Sequence, residues 1–249
     1  MRESLSPDLH VDDVSVVFGE LRAIDTVSLK IRPRETLGLI GPNGSGKTTM
    51  VNVITGFQQP TAGRVRIGNT DITRVRPEGR ATAGLSRTFQ AVRLFGRMTV
   101  AENIEVGALG VGASCRVARA RAGALMDQLG LEHLSQVRSS SLPYGLERRV
   151  ALARALATNP KFLLLDEPAA GLDEDETDDL ASALIEVRHT SGCGLLVIEH
   201  DMRLITKICD NVHVLAAGCT LAVGEPREVV QDPAVIEAYL GVGAVDVSP

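Results

Sequence analysis

The sequence predicts an α/β fold with a mainly parallel β-sheet that is covered by helices on both faces. Three short apolar runs, "KFLLLD", "GLLVIEH" and "TLGLI", are typical of strands that are buried on both sides. Segments with helical spacing alternate with such runs, and this alternation favours parallel strands joined by helices. The chain has 249 residues, of which 44% are hydrophobic and 23% charged, enough for one large globular domain.

The N-terminal elements follow from alternation and turn residues. Residues 9–31 alternate between apolar and polar positions, which predicts half-buried strands with turns at Gly19-Glu20 and Pro33-Arg34. The run "TLGLI" then predicts a buried strand that leads into glycines. The pattern from Lys47 to Ile54 is helical, and Gly56 is suited to end that helix.

A second helical region begins near "MTVAENI". Thr99 and Glu102 have the spacing of a capping box, in which two side chains satisfy free N–H groups at a helix start. The region is predicted to continue, with interruptions, to about residue 157. Within it, the glycine- and alanine-rich "GALGVGASC" is predicted to be a loop tip.

The C-terminal part returns to alternating strands and helices. After the strand "KFLLLD", residues Leu180, Leu184 and Val187 share one helix face, and Gly192 closes that helix. The strand "GLLVIEH" follows. The stretch "VHVLAAGCTLAVGEP" predicts a strand, a turn and a second strand, and "DPAVIEAYLG" predicts a short terminal helix.

Charge and cysteine content exclude several classes of protein. A net charge of −5 provides no basic field for nucleic acid, which is therefore not expected as a partner. The four cysteines, Cys115, Cys193, Cys209 and Cys219, show no C-x-x-C spacing and are expected to be reduced and structural. No stretch approaches the apolar length that spans a bilayer, and the N-terminus has no signal-peptide pattern, so a cytoplasmic chain is expected.

The segment "GPNGSGKT", Gly41 to Thr48, fits the phosphate-binding pattern G-x-x-x-x-G-K-[S/T]. It joins a predicted strand to a predicted helix, whose N-terminus and backbone N–H groups favour an anion. Lys47 can reach the β- and γ-phosphates, and Thr48 can bind Mg²⁺. A glycine-rich turn with a chance lysine is the alternative. The expected nucleotide ligands are Gly41, Pro42, Asn43, Gly44, Ser45, Gly46, Lys47, Thr48 and Thr49.

Two carboxylates, Asp166 and Glu167, follow the buried strand "FLLLD", at the edge of the sheet where α/β folds bind ligands. Asp166 can hold Mg²⁺ through water, and Glu167 can take a proton from the water that attacks the γ-phosphate. His200 ends another strand and can hydrogen-bond to the γ-phosphate. Gln90 has an amide oxygen suited to Mg²⁺ or to the attacking water. A polar loop start for the carboxylates and a structural role for His200 are the alternatives.

The order of these pieces resembles the ATP-binding subunits of ABC transporters, from about residue 9 to residue 241. The resemblance rests on the P-loop, Gln90, the glycine-led helix at Gly145, Asp166-Glu167, Asp173 and His200. It implies a single domain over residues 1–249, with a P-loop NTPase (RecA-like) α/β core and an N-terminal antiparallel β subdomain. The implied boundaries are residues 9–89 and 159–230 for the core, 90–158 for an inserted α-helical subdomain, and 231–249 for a C-terminal helix and tail.

The resemblance also assigns roles outside the P-loop. Phe18 looks like the aromatic residue that stacks on adenine, with a core phenylalanine as the alternative. Asp173 looks like the aspartate that touches the partner subunit, and it is also placed to cap the next helix. The metal ligands implied are Thr48, Gln90 and Asp166, for an ATP and Mg²⁺ site.

The family signature, usually Leu-Ser-Gly-Gly-Gln, contacts the γ-phosphate of ATP bound to the other subunit. The aligned residues here are Leu142, Pro143, Tyr144, Gly145 and Leu146. Pro143 has neither the hydroxyl nor a backbone N–H, whereas Gly145 and the helix N-terminus remain. We therefore expect an altered site, with Leu142, Tyr144 and Gly145 still close to nucleotide, weaker closure and retained hydrolysis.

Further strings, "RTFQAVRLFGRMTVAENI", "LDEPAAGL", "IEHDM" and "VIEAYLG", are similar to the branched-chain amino-acid importer subgroup. This implies an ATPase at the cytoplasmic face of the membrane that works with transmembrane permease subunits, a second ATP-binding subunit and, indirectly, an external solute-binding protein. Which of the subgroup's two ATPases it matches stays open.

Other functions within the resemblance are a urea or amide transporter ATPase and a lipid or lipopolysaccharide transporter ATPase. A soluble ABC-type ATPase, such as an iron–sulfur assembly scaffold subunit or a DNA-repair ATPase, is the alternative of a different class. The sequence has no long heptad repeats, metal-type cysteine spacing or basic groove that would favour it.

Overall fold

The computed structural model describes residues 7–241. Its strands are β1 Leu9–Phe18, β2 Leu21–Ile31, β3 Thr36–Ile40, β4 Ala62–Ile67, β5 Thr70–Asp71, β6 Leu85–Arg87, β7 Phe162–Asp166, β8 Gly194–Ile198, β9 Asn211–Ala216 and β10 Cys219–Gly224. Its α-helices are α1 Lys47–Thr55, α2 Pro77–Thr82, α3 Val100–Gly110, α4 Cys115–Gln128, α5 Tyr144–Ala157, α6 Glu174–Ser191, α7 Met202–Ile208, α8 Pro226–Val229 and α9 Pro233–Gly241. Among these described helices, none has both the length and the apolar composition that a bilayer span requires.

The central sheet has six strands in the order β10-β9-β3-β8-β7-β6. The strands from β9 to β6 pair in parallel, and β10 joins β9 as an antiparallel hairpin. Every residue of β3, β7 and β8 is buried. Successive residues of β7 alternate between two apolar clusters, Leu163 and Leu165 on one face and Phe162 and Leu164 on the other. The predicted parallel sheet with two covered faces is therefore confirmed.

The N-terminal strands form a second, antiparallel sheet in the order β2-β1-β4-β5. Its buried side chains share one apolar cluster with the inner face of α1, which carries Met50, Val53 and Ile54. The helix α1 is thus held between the small sheet and the central sheet. Its end at Gly56, with a left-handed backbone of φ 85°, is as predicted. The predicted strand pair over residues 9–31 is also confirmed.

The helical part between β6 and β7 consists of α3, α4 and α5, which pack on one another. Thr99 and Glu102 form the predicted capping box at the start of α3. The predicted loop tip "GALGVGASC" is wrong in its first half, because residues 107–110 belong to α3 and only residues 111–114 form the connection. Gly107 is small for a packing reason, since a Cβ there would collide with the carbonyl of Arg154 in α5.

The four cysteines carry free thiols. Cys193 is buried and Cys209 is partly buried, and burial raises the pKa of each thiol to about 12. These two behave as inert, small apolar residues, as expected. Cys115 and Cys219 are exposed, so a structural role in packing is wrong for this pair.

A buried arginine holds the C-terminal end of the P-loop helix α1. The Arg80 guanidinium is fully buried and donates to the carbonyls of Val53 at 2.5 Å and Ile54 at 2.6 Å. It also donates to the carbonyls of Thr73 at 2.6 Å and Val75 at 2.9 Å. Burial lowers the pKa of Arg80 to about 10, which leaves the side chain charged at neutral pH. A cation is well placed beside helix C-terminal carbonyls.

Replacing this arginine is predicted to destabilise the fold strongly. Arg80→Ala leaves two buried and two partly buried carbonyls without their donor, and we expect a loss of about 3 kcal/mol or more in the free energy of unfolding. Urea denaturation of the nucleotide-free protein measures this loss. Arg76→Ala, which removes an exposed arginine at the start of α2, is the matched control. Equal denaturation midpoints for the two variants would contradict this role of Arg80.

Candidate functional site

The P-loop connects β3 to α1 and is shaped by close backbone contacts. Gly41 has φ 145°, and a Cβ at this position would collide with the carbonyl of Leu215 in β9. Gly46 has φ 105°, and its Cβ would lie 2.7 Å from the carbonyl of Ala23 in β2. Only glycine fits both positions. The helix α1 begins immediately afterwards at Lys47, so its free N–H groups point into the loop, as an anion site requires.

An open cleft of about 570 Å³ lies over this loop. Its walls come from β1, β2, the P-loop, and the ends of β7 and β8. The predicted residues that line it are Phe18, Asn43, Gly44, Ser45, Gly46, Lys47, Thr48, Thr49, Glu167 and His200. Phe18 is 48% exposed, so the alternative of a core phenylalanine is wrong. Its exposed ring stands at the cleft, where a base could stack, and the stacking role stays a prediction.

The Lys47 side chain folds back over the loop. Its Nζ donates to the carbonyl of Gly41 at 2.6 Å and to that of Pro42 at 2.9 Å. Burial lowers the pKa of Lys47, and the nearby charges of Glu167 and Asp166 oppose that shift. Phosphate oxygens would replace these two carbonyl partners of Lys47 and accept charge-assisted hydrogen bonds from it.

Asp166 ends β7 in a buried ion pair. Its Oδ2 accepts a hydrogen bond of 2.6 Å from Nη2 of Arg87, and Nη1 of Arg87 donates to Asn52 in α1 at 2.7 Å. Arg87 was not among the predicted site residues, because its partners Asp166 and Asn52 lie 79 and 35 residues away in the chain. Carboxylate and hydroxyl oxygens are ligands that Mg²⁺ prefers, so Asp166 and Thr48 fit this ion by chemistry.

Glu167 is the most constrained residue of the site. Its Oε2 accepts from the amide nitrogen of Gln90 at 2.6 Å, and its Oε1 lies 3.2 Å from Nε2 of His200. Its backbone has φ 48°, a left-handed conformation that costs about 1–3 kcal/mol in a non-glycine residue. The Glu167 N–H donates to the carbonyl of Ile198 at 2.9 Å. The structure thus brings the three predicted catalytic side chains together, although the amide nitrogen of Gln90, not its oxygen, faces the carboxylate.

A further carboxylate, Glu199, holds the backbone next to Glu167 and His200. It is buried, and its Oε1 accepts from the N–H of Ala169 at 2.7 Å while its Oε2 accepts from the N–H of His200 at 3.0 Å. It thereby fixes the loop after Glu167 to the end of β8. Glu199 was not among the predicted site residues. A carboxylate next to the apolar run "LLVI" nevertheless indicates a buried charge that has hydrogen-bond partners.

The signature residues form a second surface, which does not line the P-loop cleft. The helix α5 begins at Tyr144 with Pro143 as its N-cap residue, and no side chain caps this end. The Tyr144 ring lies against Gly171, and Gly145 lies against the carboxylate of Glu176. Leu142 packs on the apolar core of the helical part. The start of α5 and the start of α6 therefore lie side by side.

Asp173 caps α6, as one of its two predicted roles requires. Its Oδ1 accepts from the N–H of Glu176 at 2.8 Å, and Oε2 of Glu176 accepts from the N–H of Asp173 at 3.2 Å. This capping box leaves Asp173 at the same surface as Tyr144 and Gly145. The predicted contact of Asp173 with a partner subunit stays a prediction.

Comparisons with protein families agree with this architecture. A model described as "ABC transporter" matches residues 24–170, and one described as "Branched-chain amino acid ATP-binding cassette transporter" matches residues 219–245. The high-affinity branched-chain amino acid transport ATP-binding protein LivG of Salmonella typhimurium is 41% identical over 94% of this chain and 98% of its own length. The lipopolysaccharide export system ATP-binding protein LptB of Escherichia coli is 37% identical over 88% and 91%, respectively.

Solved structures give the same fold. The ADP conformation of MJ1267, an ATP-binding cassette of an ABC transporter, superposes with a TM-score of 0.86 at 33% identity, covering 94% of this chain and 99% of the other. The dimeric structure of MJ0796, a bacterial ABC transporter cassette, has a TM-score of 0.78 at 27% identity, covering 88% and 99%. The expected α/β P-loop fold is confirmed.

Removing the lysine of the cleft is predicted to weaken nucleotide binding without unfolding the protein. Lys47→Met deletes the cation next to the helix N-terminus, and we expect the Kd for ADP to rise about tenfold to a hundredfold. Isothermal titration calorimetry measures this Kd. Lys161→Met, which removes an exposed lysine outside the cleft, is the control. Unchanged ADP affinity in Lys47→Met would show that the cleft is not the nucleotide site.

Proposed function

Since this chain belongs to the ABC transporter family, we propose that it is the ATP-hydrolysing subunit of a transporter for branched-chain or other hydrophobic amino acids. The observation that carries the catalytic part is the placement of Glu167 between Gln90 and His200 at the mouth of the P-loop cleft. The substrate class is supported by the 41% identity to LivG and by the match over residues 219–245.

ATP would bind in the cleft with its base on Phe18 and its phosphates on the P-loop N–H groups. Lys47 would exchange its carbonyl partners for the β- and γ-phosphates. A Mg²⁺ ion would be held by Thr48 and Asp166, with Gln90 as a further ligand, and would supply charge neutralisation on the phosphates.

Hydrolysis needs a base that meets the attacking water. The Glu167 carboxylate would accept a proton from that water as its oxygen bonds to the γ-phosphorus and the bond to the bridging oxygen of ADP breaks. His200, which already contacts the same carboxylate, would hydrogen-bond to the γ-phosphate. The left-handed backbone of Glu167 would keep its carboxylate directed at the attacking water, so the side chain would need little reorientation during the reaction.

Each nucleotide would lie between two subunits, facing Lys47 of one and Gly145 of the other. This arrangement is supported by the separate surface that Tyr144, Gly145 and Asp173 form, and by the dimeric cassette MJ0796. The partner would be a second copy or a related ATP-binding subunit. Pro143 removes one phosphate donor from this contact, and we expect weaker ATP-driven closure with retained hydrolysis.

The assembly we propose is peripheral, at the cytoplasmic face of the membrane. Its partners would be transmembrane permease subunits and, indirectly, an external solute-binding protein. Residues 9–89 and 159–230 would bind nucleotide, and residues 90–158 would carry the signature. Of the predicted C-terminal helix and tail over residues 231–249, residues 242–249 lie outside the part of the chain that the structure describes. Lipopolysaccharide export is the second candidate function, because LptB is 37% identical.

The proposal is tested by expressing tagged Glu167→Gln in the native host and solubilising membranes gently in ATP. The variant lacks the base, so we expect its hydrolysis rate to fall at least a hundredfold while ATP remains bound. Copurification of multispanning permeases together with a solute-binding protein that binds hydrophobic amino acids is the expected result.

The wild-type chain in ADP is the matched control. Copurification with lipid-export components would instead favour the second candidate. Recovery in the soluble fraction alone, with assembly or repair factors, would contradict a transport function, and an unreduced hydrolysis rate in Glu167→Gln would contradict the catalytic assignment.

A further inference from the structure

We propose that Arg148 is a positioning residue that links the signature end of α5 to the backbone of Glu167, and so couples the two ATP sites of a dimer. The inference rests on the proposed function, in which Gly145 and Tyr144 face the nucleotide of one site and Glu167 faces the nucleotide of the other. Arg148 lies on the second turn of α5, one turn after Tyr144.

Arg148 reaches the catalytic loop directly. Its Nη1 donates to the carbonyl of Glu167 at 2.7 Å and to that of Pro168 at 3.0 Å. Hydrogen bonds from a guanidinium to carbonyls are charge-assisted and stronger than neutral ones. Within residues 7–241, no other side chain of α5 hydrogen-bonds to the loop of residues 167–173. Arg149 pairs with Asp179, and Arg154 donates to the backbone carbonyl of Arg93.

The other end of the guanidinium is tied to the signature. Nη2 of Arg148 donates to the Tyr144 hydroxyl at 2.6 Å, and its Cζ lies 4.8 Å from the centre of the Tyr144 ring. That ring also lies against Gly171. The two residues are spaced by four on one helix face, so they meet without distortion. A shift of Tyr144 is therefore carried to Arg148.

The Glu167 conformation depends on this contact. Its N–H donates to Ile198 on β8, and its carbonyl accepts from Arg148 on α5 at 2.7 Å and from the N–H of Ala170 at 3.2 Å, so both sides of a residue with φ 48° are fixed. A left-handed backbone persists only where its surroundings determine it. Without Arg148, this carbonyl keeps only the longer hydrogen bond from Ala170, so the peptide is free to rotate and to move the carboxylate away from its place between Gln90 and His200.

The geometry gives a direction of communication. Nucleotide contact at Tyr144 and Gly145 orders the start of α5, Arg148 transmits that order, and Glu167 of the same chain is set for the opposite site. Nucleotide binding at one site thus changes the position of the base at the other site, and the change passes through a single chain. An arginine with a purely structural role would affect stability alone. Arg148 instead contacts both Tyr144, which faces one nucleotide, and Glu167, which faces the other.

The test compares Arg148→Gln with Arg149→Gln in the full-length protein, by steady-state ATPase assays and ADP calorimetry. For Arg148→Gln we expect kcat to fall about tenfold to a hundredfold, because the base is misplaced, with an unchanged Kd for ADP. The Hill coefficient for ATP is expected to fall to about 1. Arg149→Gln, which removes the neighbouring arginine paired with Asp179, should retain wild-type values.

Tyr144→Phe removes the hydroxyl and keeps the ring, so it should lower the Hill coefficient and kcat together, each by less than Arg148→Gln does, because only one hydrogen bond of the arginine is lost. Equal kcat and Hill coefficient in Arg148→Gln and Arg149→Gln would overturn the inference. So would a loss of ADP binding in parallel with kcat, since that marks a structural role. A wild-type protein without ATPase activity would instead contradict the proposed function itself.

Discussion

The site depends on one backbone constraint, the left-handed conformation of Glu167 at the end of β7. Strand β8 fixes its N–H through Ile198, α5 fixes its carbonyl through Arg148, and Gln90 and His200 hold its carboxylate. An unfavourable backbone conformation of this kind is kept because contacts from three separate elements determine it. The base is therefore pre-positioned before nucleotide binds, which is how an enzyme avoids reorganisation during the reaction.

The sheet order explains why these groups meet. Strand β3 lies between β9 and β8, and β7 follows β8, so the carboxyl ends of β3, β7 and β8 are neighbours. The P-loop, Glu167 and His200 follow those three ends, and the cleft opens where α/β folds bind ligands. The small antiparallel sheet adds Phe18 at the rim and packs on α1, whose far end is held by Arg80. The helix α1, which follows the phosphate-binding loop, is thus fixed by the small sheet along its side and by Arg80 at its C-terminal end.

Local patterns predicted the buried strands, the capped helices and the P-loop, because each is encoded by residues near in sequence. The same patterns gave no strands between residues 57 and 98, where β5 and β6 have only two and three residues and β4 has an exposed first half. They also predicted a loop at Gly107, because glycine is common in loops. Here the glycine is required by close packing of α3 against the Arg154 carbonyl, which the local pattern does not distinguish from a loop. Arg87 and Arg148 act through partners about 80 and 19 residues away, which one sequence does not reveal.

The central claim, that each ATP site is shared between two chains, is tested most directly by mixing two inactive variants. Lys47→Met damages the P-loop, and Gly145→Asp damages the signature by placing a carboxylate beside Glu176. In a two-fold dimer, the mixed pair contains one intact site, and the Glu167 of that site belongs to the chain with the damaged signature. An equimolar mixture is therefore predicted to recover measurable activity, at most about a quarter of the wild-type ATPase rate. A mixture of folded variants that stays as inactive as either one alone would contradict the shared site.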